Sequence, residues 1–167
     1  MKKLFAEQAD TLKVMTYATD IRPITSPIPL SQALEGVQGL DWSLCPDTEL
    51  TVSGVSVSSI DIEDNWLFVA IPGLVQHGIR FLHAAVEAGA TAVVTDREGS
   101  ERAREMNPDI PVVIVADPRR ASATIAANIY RHPASTLKTA AVTGTNGKTT
   151  TTYLLRSILR RTFKDPA

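Results

Sequence analysis

The sequence predicts an α/β protein, in which a sheet of parallel or mixed strands is followed by the first strand–loop–helix unit of a second, truncated α/β domain. Two observations support this fold class. Short apolar runs typical of buried strands alternate along the chain with segments whose apolar residues recur at helical spacing. A glycine-rich loop near the C-terminus lies between a strand-like run and a helical run. Strands that alternate with helices favour an open sheet covered on both faces.

The elements can be assigned in chain order. Four strands are expected where β-branched and apolar residues are concentrated, at 50–57, 66–71, 91–95 and 111–116. Four helices are expected before and between them, at 30–40, 81–88, 97–106 and 118–131. The start of the last helix has a specific signal, because Asp117 can act as N-cap and Pro118 suits the first helical position.

Three segments are predicted along the chain: an extension at 1–29, a first domain at 30–133 and the start of a second domain at 134–167. Weak periodicity and three prolines mark the extension. The run His132 to Ser135 breaks the preceding helix. A new strand is expected after it at 137–142, then the glycine-rich loop, then a helix at 149–161.

Composition limits the classes of partner. The 167 residues carry a net charge of -1, which argues against a nucleic-acid or anionic-membrane surface. Cys45 is the single cysteine, so no intramolecular disulfide can form. No apolar run reaches the ~20 residues of a membrane span. We therefore expect a cytoplasmic monomer with no nucleic-acid or membrane partner.

The glycine-rich loop has the make-up of a phosphate-binding loop. Gly144 and Gly147 allow the backbone to approach a ligand, and the N–H groups of the following helix can bind its oxygens. Lys148 adds a mobile positive charge, and the Thr149 hydroxyl can ligate Mg²⁺. The predicted ATP-binding residues are Gly144, Thr145, Asn146, Gly147, Lys148, Thr149 and Thr150.

The loop is a variant of the general pattern, because Val142 stands where a first glycine is usual. A tight strand-to-helix turn with an incidental lysine is the alternative interpretation. The strand–loop–helix context favours nucleotide binding.

The run from Thr143 to Thr150 resembles the ATP loop of the Mur ligases, and within that family the MurE group. The resemblance extends upstream to about residue 30, through Ser56 to Ile60, Leu67 to Gly73, and His77-Gly78 before Phe81. In the family this first domain holds the uridine diphosphate end of a nucleotide sugar. Carried over by position, the residues that would bind it are Val57, Ser59, Leu74, Val75 and Gln76.

Three positions depart from the family pattern. Ser58 and Ile60 replace an aspartate and an arginine, and His77 stands where aspartate is usual. A lost charged hydrogen bond could weaken diphosphate binding by ~1.5–3 kcal/mol. The pair Ser58-Ser59 also has a simpler interpretation, a polar strand end that satisfies its own backbone.

The resemblance implies an ATP-dependent ligase of peptidoglycan-precursor synthesis. Such an enzyme joins a third amino acid, of the diaminopimelate or lysine class, to UDP-MurNAc-L-Ala-D-Glu through an acyl-phosphate intermediate. Lys148 would be the catalytic residue that stabilises charge on the transferred phosphoryl group, and Thr149 would hold Mg²⁺.

The chain ends shortly after the start of the helix that follows the loop. The resemblance therefore implies a truncated N-terminal portion of a ligase, inactive by itself. One alternative is a non-catalytic nucleotide or nucleotide-sugar binding module derived from a Mur ligase. A further alternative is an unrelated phosphotransferase with a phosphate-binding loop.

Overall fold

A computed structural model of the protein describes residues 25–162. The chain divides into two compact units, the first ending at His132 and the second beginning at Pro133. Most of the predicted extension, residues 1–24, lies outside the described residues. In the described part of the chain, no helix is both long and apolar enough to cross a membrane.

The first unit is built on a mixed sheet. Its strands, among residues 25–132, are β1 Ile28–Pro29, β2 Asp41–Leu44, β3 Thr51–Val52, β4 Gly54–Ser56, β5 Trp66–Val69, β6 Ala90–Thr95 and β7 Val112–Ile114. Five of them form one sheet in the order β2-β7-β6-β5-β4. Strands β4 to β7 are parallel, and β2 runs antiparallel to β7 at the edge. The predicted α/β fold class is therefore confirmed.

Helices join β5 to β6 and β6 to β7, and further helices precede and follow the parallel strands. In the described residues they are α1 Leu30–Ala33, α2 Leu82–Glu87, α3 Arg97–Met106, α4 Pro118–Ile129, α5 Pro133–Thr136 and α6 Lys148–Thr162. Two 3₁₀ turns, Ser59–Asp61 and Gly78–Phe81, follow β4 and β5 respectively. The start of α4 is as predicted, because the Asp117 carboxylate accepts the N–H of Arg120 at 3.1 Å.

The sheet buries both of its faces. Along β5 and the residue after it, Leu67 and Val69 point to one apolar cluster, while Phe68 and Ala70 point to the other. The first cluster includes buried residues of α1 and α4, and the second includes buried residues of α2 and α3. Alternate residues of a strand face opposite sides, so helices on both sides shield the strand from water.

Two predicted elements are shorter or divided. The strand expected at 50–57 is two strands, because the backbone changes partner at Ser53, whose N–H donates to the carbonyl of Asn65 at 2.9 Å. Strand β3 then pairs with β1, and β4 pairs with β5. The helix expected at 30–40 ends at Ala33, and two positive-φ glycines, Gly36 and Gly39, follow it.

Two further predictions differ from the structure, and one strand was not predicted. The strand expected at 137–142 is wrong, because residues 133–162 of the second unit include no strand and thus no ladder partner. The extension was predicted to reach residue 29, yet Ile28–Pro29 forms β1 and pairs with β3. Strand β2 was not predicted, since its partner β7 lies far away in sequence.

Candidate functional site

The residues predicted to form a phosphate-binding loop lie in the second unit and lead directly into α6. Gly144 has φ 149° and Gly147 has φ 78°, in the region that favours glycine. A Cβ added at Gly147 would meet nothing within 4 Å, so the backbone conformation, and not a lack of space, demands glycine there. The helix begins at Lys148, and the carbonyl of Gly147 accepts the N–H of Thr151 at 2.9 Å.

Lys148 is folded over this loop. Its ammonium donates to the carbonyl oxygens of Gly144 and, at 3.3 Å, of Thr145. The first N–H groups of a helix lack partners within the helix and carry its positive dipole end. The loop thus combines an exposed cation with backbone donors, and the other predicted ATP-binding residues are exposed beside it: Asn146, Thr149 and Thr150.

The donor set here fits a magnesium ion held mainly by a nucleotide. Among residues 25–162 there is no group of three or more His, Cys, Asp or Glu side chains that could hold a metal by themselves. Mg²⁺ is commonly bound through one or two protein oxygens together with phosphate oxygens and water. The exposed hydroxyl of Thr149 can supply one such oxygen.

The residues predicted to bind uridine diphosphate lie in the first unit, at the carboxyl ends of two neighbouring strands. Val57 and Ser59 follow β4, and Leu74 to Gln76 follow β5. Because β4 and β5 are parallel neighbours, both segments leave the sheet at the same edge. This is the edge at which open α/β sheets generally bind ligands.

The segment after β5 is a closed loop with an apolar tip. Pro72 and His77 pair as an isolated antiparallel bridge, and the N–H of Gly73 donates to the carbonyl of Gln76 at 3.2 Å. Leu74 and Val75 are fully exposed at the tip. We call the segment Pro72 to His77 the tip loop.

Arg80 is a residue that the sequence analysis did not single out. Its guanidinium donates to the side-chain oxygen of Gln76 and lies over the Phe81 ring, 5.3 Å from the ring centroid. The side chain is exposed. Arg80 therefore places a cation in contact with a residue predicted to bind substrate. An arginine two residues after a His-Gly pair is not a strong sequence signal for a binding residue. Arg80 is of interest because it contacts Gln76 in the folded chain.

His77 and Asp96 form another pair that the sequence analysis missed. The imidazole Nε2 of His77 lies 3.1 Å from Oδ1 of Asp96, and the His77 side chain is only 4% exposed. His77 also caps the 3₁₀ turn after the tip loop, because its Nδ1 accepts the N–H of Ile79 at 3.0 Å. The sequence indicated only that His77 replaces a more usual aspartate.

A cavity elsewhere in the first unit contains none of the predicted site residues. It has a volume of about 220 Å³ and lies between the loop after α1 and the N-terminus of α4. In the described residues, no buried polar side-chain atom lacks a hydrogen-bond partner, and this includes the residues around the cavity.

Two family models match the chain. The Mur ligase family, catalytic domain, matches residues 51–130, and the Mur ligase middle domain matches residues 142–166. Together they match more than half of the chain and include both the sheet edge and the predicted phosphate loop. The chain belongs to the Mur ligase family.

Within that family, similar curated proteins carry MurE-type names. A UDP-N-acetylmuramoyl-L-alanyl-D-glutamate–2,6-diaminopimelate ligase from Caldanaerobacter subterraneus is 39% identical over 75% of this chain and 25% of its own length. A ligase of the same name from Streptomyces avermitilis is 39% identical over 87% of this chain and 28% of its own. A UDP-N-acetylmuramyl-tripeptide synthetase from Oceanobacillus iheyensis is 40% identical over 65% of this chain and 21% of its own. The chain therefore spans about a quarter of the length of these relatives.

A solved structure has a similar fold. The UDP-N-acetylmuramoylalanyl-D-glutamyl-2,6-diaminopimelate–D-alanyl-D-alanyl ligase from Acinetobacter baumannii matches with a TM-score of 0.62 and 27% sequence identity. The match covers 85% of this chain and 30% of that protein. Its name differs from those of the sequence relatives, so the structural match supports the family and not one substrate.

Proposed function

We propose that this chain provides the nucleotide-sugar-binding domain and the ATP-binding loop of an ATP-dependent ligase of peptidoglycan-precursor synthesis. The substrate would be UDP-N-acetylmuramoyl-L-alanyl-D-glutamate, as the names of the MurE-type relatives suggest. One observation carries the proposal. The positive-φ glycine Gly147 turns the backbone directly into the 15-residue helix that begins at Lys148.

The proposed chemistry has two steps. The glutamate carboxylate first takes the γ-phosphoryl group of ATP and ADP leaves, and the amine of the added amino acid then attacks the acyl phosphate and releases phosphate. Lys148 would exchange its two carbonyl partners for phosphate oxygens and neutralise charge that develops during phosphoryl transfer. Thr149 would supply a hydroxyl ligand to Mg²⁺. We place the reaction in the cytoplasm, where ATP is available.

The nucleotide sugar would bind at the carboxyl edge of the sheet. Val57, Leu74 and Val75 offer exposed apolar surface against which a uracil ring can pack. Ser59 and Gln76 offer hydrogen bonds, and Arg80, which already contacts Gln76, offers a cation for the diphosphate. Arg80 could thus compensate for the missing arginine at position 60.

Binding by the 167-residue chain is the first test. Calorimetric titrations with UDP-N-acetylmuramoyl-L-alanyl-D-glutamate, UDP and uridine would measure the sheet-edge site, and ATP with and without Mg²⁺ would measure the loop. We expect the nucleotide sugar and MgATP to bind independently measurable sites. If neither ligand binds, the proposal is wrong.

Turnover is tested in a chimaera. Residues 30–166 of this chain replace the corresponding part of the Streptomyces avermitilis relative, and phosphate release is measured with diaminopimelate or lysine as the amine. Amine-dependent phosphate release supports the ligase. Ligand binding by the chain, without turnover in a folded chimaera, would instead favour the non-catalytic binding module.

A further inference from the structure

The imidazole of His77 connects three parts of the first unit. It belongs to the base of the tip loop, it accepts the N–H of Ile79 at the start of the 3₁₀ turn, and it lies 3.1 Å from Asp96, the N-cap of α3. The side chain of His77 is 4% exposed and that of Asp96 is 26% exposed. These contacts are therefore largely shielded from water.

The hydrogen bonds define the role of each ring nitrogen. Because Nδ1 accepts the N–H of Ile79, it carries no proton, and the proton of the neutral ring is on Nε2. Nε2 then donates to Oδ1 of Asp96. The same oxygen accepts the N–H of Gly99 at 2.8 Å, so the carboxylate that receives His77 is itself held by the first turn of α3.

The ring also packs closely on α3. A Cβ added at Gly99 would lie 2.8 Å from Cε1 of His77 and would overlap the Thr95 hydroxyl. Thr95 is fully buried, and its hydroxyl donates to the carbonyl of Ala70 at 3.0 Å, at the end of β5. The absence of a side chain at Gly99 thus leaves room for the His77 ring beside the Thr95 hydroxyl.

Besides His77, backbone hydrogen bonds and the side-chain bond from Arg80 to Gln76 hold the tip loop. Its base is closed by the backbone bond from Gly78 to the carbonyl of Ile71 at 2.9 Å and by the one from Gly73 to Gln76 at 3.2 Å. The three residues at its tip, Leu74 to Gln76, are exposed. An exposed loop of this kind samples many conformations unless its base is fixed.

We propose that His77 is a positioning residue for Leu74 to Gln76. By joining the loop base to Asp96 it holds the tip in one conformation before the nucleotide sugar binds, which lowers the ordering cost of binding. This inference rests on the proposed nucleotide-sugar site. An aspartate at position 77 could accept the N–H of Ile79, but it would place a second negative charge beside the Asp96 carboxylate. Of these two residues, only histidine can donate a hydrogen bond to Asp96.

Three substitutions separate the two bonds of the ring. His77→Asn retains an acceptor at the position of Nδ1 and loses the donor to Asp96. His77→Gln can retain a donor near the position of Nε2 and loses the cap on Ile79. His77→Phe keeps the ring volume and loses both bonds. Asp96→Asn is the conservative control, because its side-chain oxygen can still accept from His77 and from Gly99.

Two readouts are measured on the 167-residue chain. Hydrogen exchange of the Gly73 and Gly78 amides reports the order of the loop base, and calorimetry reports the affinity for UDP-N-acetylmuramoyl-L-alanyl-D-glutamate. In His77→Phe we expect these amides to exchange about tenfold faster and the nucleotide sugar to bind about tenfold more weakly. In His77→Asn and in His77→Gln we expect each of these two changes to be about threefold. Asp96→Asn keeps both acceptor positions but loses the charge, so its changes should be smaller than those of His77→Asn.

A general loss of stability is excluded with Asn128→Ala. Asn128 donates to the carbonyls of Ala33 and Glu35, away from the tip loop. This variant should lower the melting temperature without changing affinity or the exchange of Gly73 relative to other amides. Unchanged exchange and affinity in folded His77→Phe would overturn the inference.

Failure of the proposed function gives a different result. In that case the unaltered chain does not bind the nucleotide sugar. Hydrogen exchange then decides the positioning role alone, and equal exchange of Gly73 and Gly78 in His77→Phe and in the unaltered chain would overturn it.

Discussion

The ammonium nitrogen of Lys148 lies 3.3 Å from the carbonyl oxygen of Thr145, and it also donates to the carbonyl of Gly144. Both acceptors are neutral backbone groups of the same loop. An ammonium is attracted more strongly to an ionised phosphate oxygen than to a neutral carbonyl oxygen, because both partners are then charged. Phosphate oxygens can therefore replace the two carbonyls, and the lysine is held close to where they would bind.

The first prediction concerns this lysine. Lys148→Ala should weaken MgATP binding by about 10- to 100-fold, because a charged hydrogen bond is worth about 1.5–3 kcal/mol. In the chimaera it should abolish amide-bond formation, while the nucleotide sugar still binds. Lys148→Arg should restore little, since a planar guanidinium does not replace a compact ammonium in a tight loop. Calorimetry and phosphate release measure these effects.

Lys138→Ala is the matched control for Lys148→Ala. Lys138 is exposed and lies in the same unit, upstream of the loop. Its substitution removes the same charge without touching the predicted site and should leave MgATP affinity unchanged. Near-normal turnover in a chimaera with Lys148→Ala would contradict the phosphate-loop assignment.

The second prediction concerns Ser58 and Ile60 at the sheet edge, where the family pattern has an aspartate and an arginine. Ser58 is the N-cap of the 3₁₀ turn Ser59–Asp61 but makes no side-chain cap bond, and Ile60 is 91% exposed. The double variant Ser58→Asp, Ile60→Arg should fold without strain and bind the nucleotide sugar about tenfold more tightly. Calorimetry measures the gain, and Ile60→Gln controls for removal of the apolar group. No gain in the double variant would speak against diphosphate binding at this turn.

The third prediction concerns Arg80. Arg80→Ala should weaken binding of UDP about tenfold and leave uridine binding unchanged, because only UDP carries the diphosphate. The loss should shrink as salt is raised, since exposed charges are screened. Arg104→Ala removes an exposed arginine of α3 and is the control. Equal losses for UDP and uridine would show that Arg80 acts on loop shape and does not contact phosphate.

The fourth prediction concerns the dependence of stability on pH. Burial raises the pKa of the Cys45 thiol, and the Asp47 charge adds to this effect. A group whose pKa is higher in the folded state stabilises the fold fully below its unfolded pKa and loses this contribution as pH rises through the folded value. The free energy of unfolding should therefore fall from about pH 8 upward.

Urea unfolding at several pH values measures this slope. Cys45→Ala should make the decline less steep, although packing loss lowers its stability at every pH. Alkylation of the native thiol should also be slow, because the reactive thiolate is scarce in a buried site. A decline of equal slope in both proteins would contradict the raised pKa of Cys45.

Elements with local signals were predicted well. Helix α3 has the predicted limits, and α4 begins at Pro118 as predicted. For α4 the N-cap Asp117 and the spacing of apolar residues are signals that act within a few residues. Strands were predicted less accurately. The division at Ser53 and the existence of β2 depend on pairing with Asn65 and β7, which adjacent residues do not reveal.

The candidate sites divide in the same way. A phosphate-binding loop is made by consecutive residues. The loop and the helix after it could therefore be predicted from one short run, Thr143 to Thr150. His77 and Asp96 are 19 residues apart and meet because β5 and β6 pair in parallel, which brings the ends of both strands to one edge of the sheet. Side chains from separate segments can form a hydrogen bond only when the folded sheet brings them within reach of each other. That distance depends on the pairing of distant strands, and so it could not be predicted from neighbouring residues.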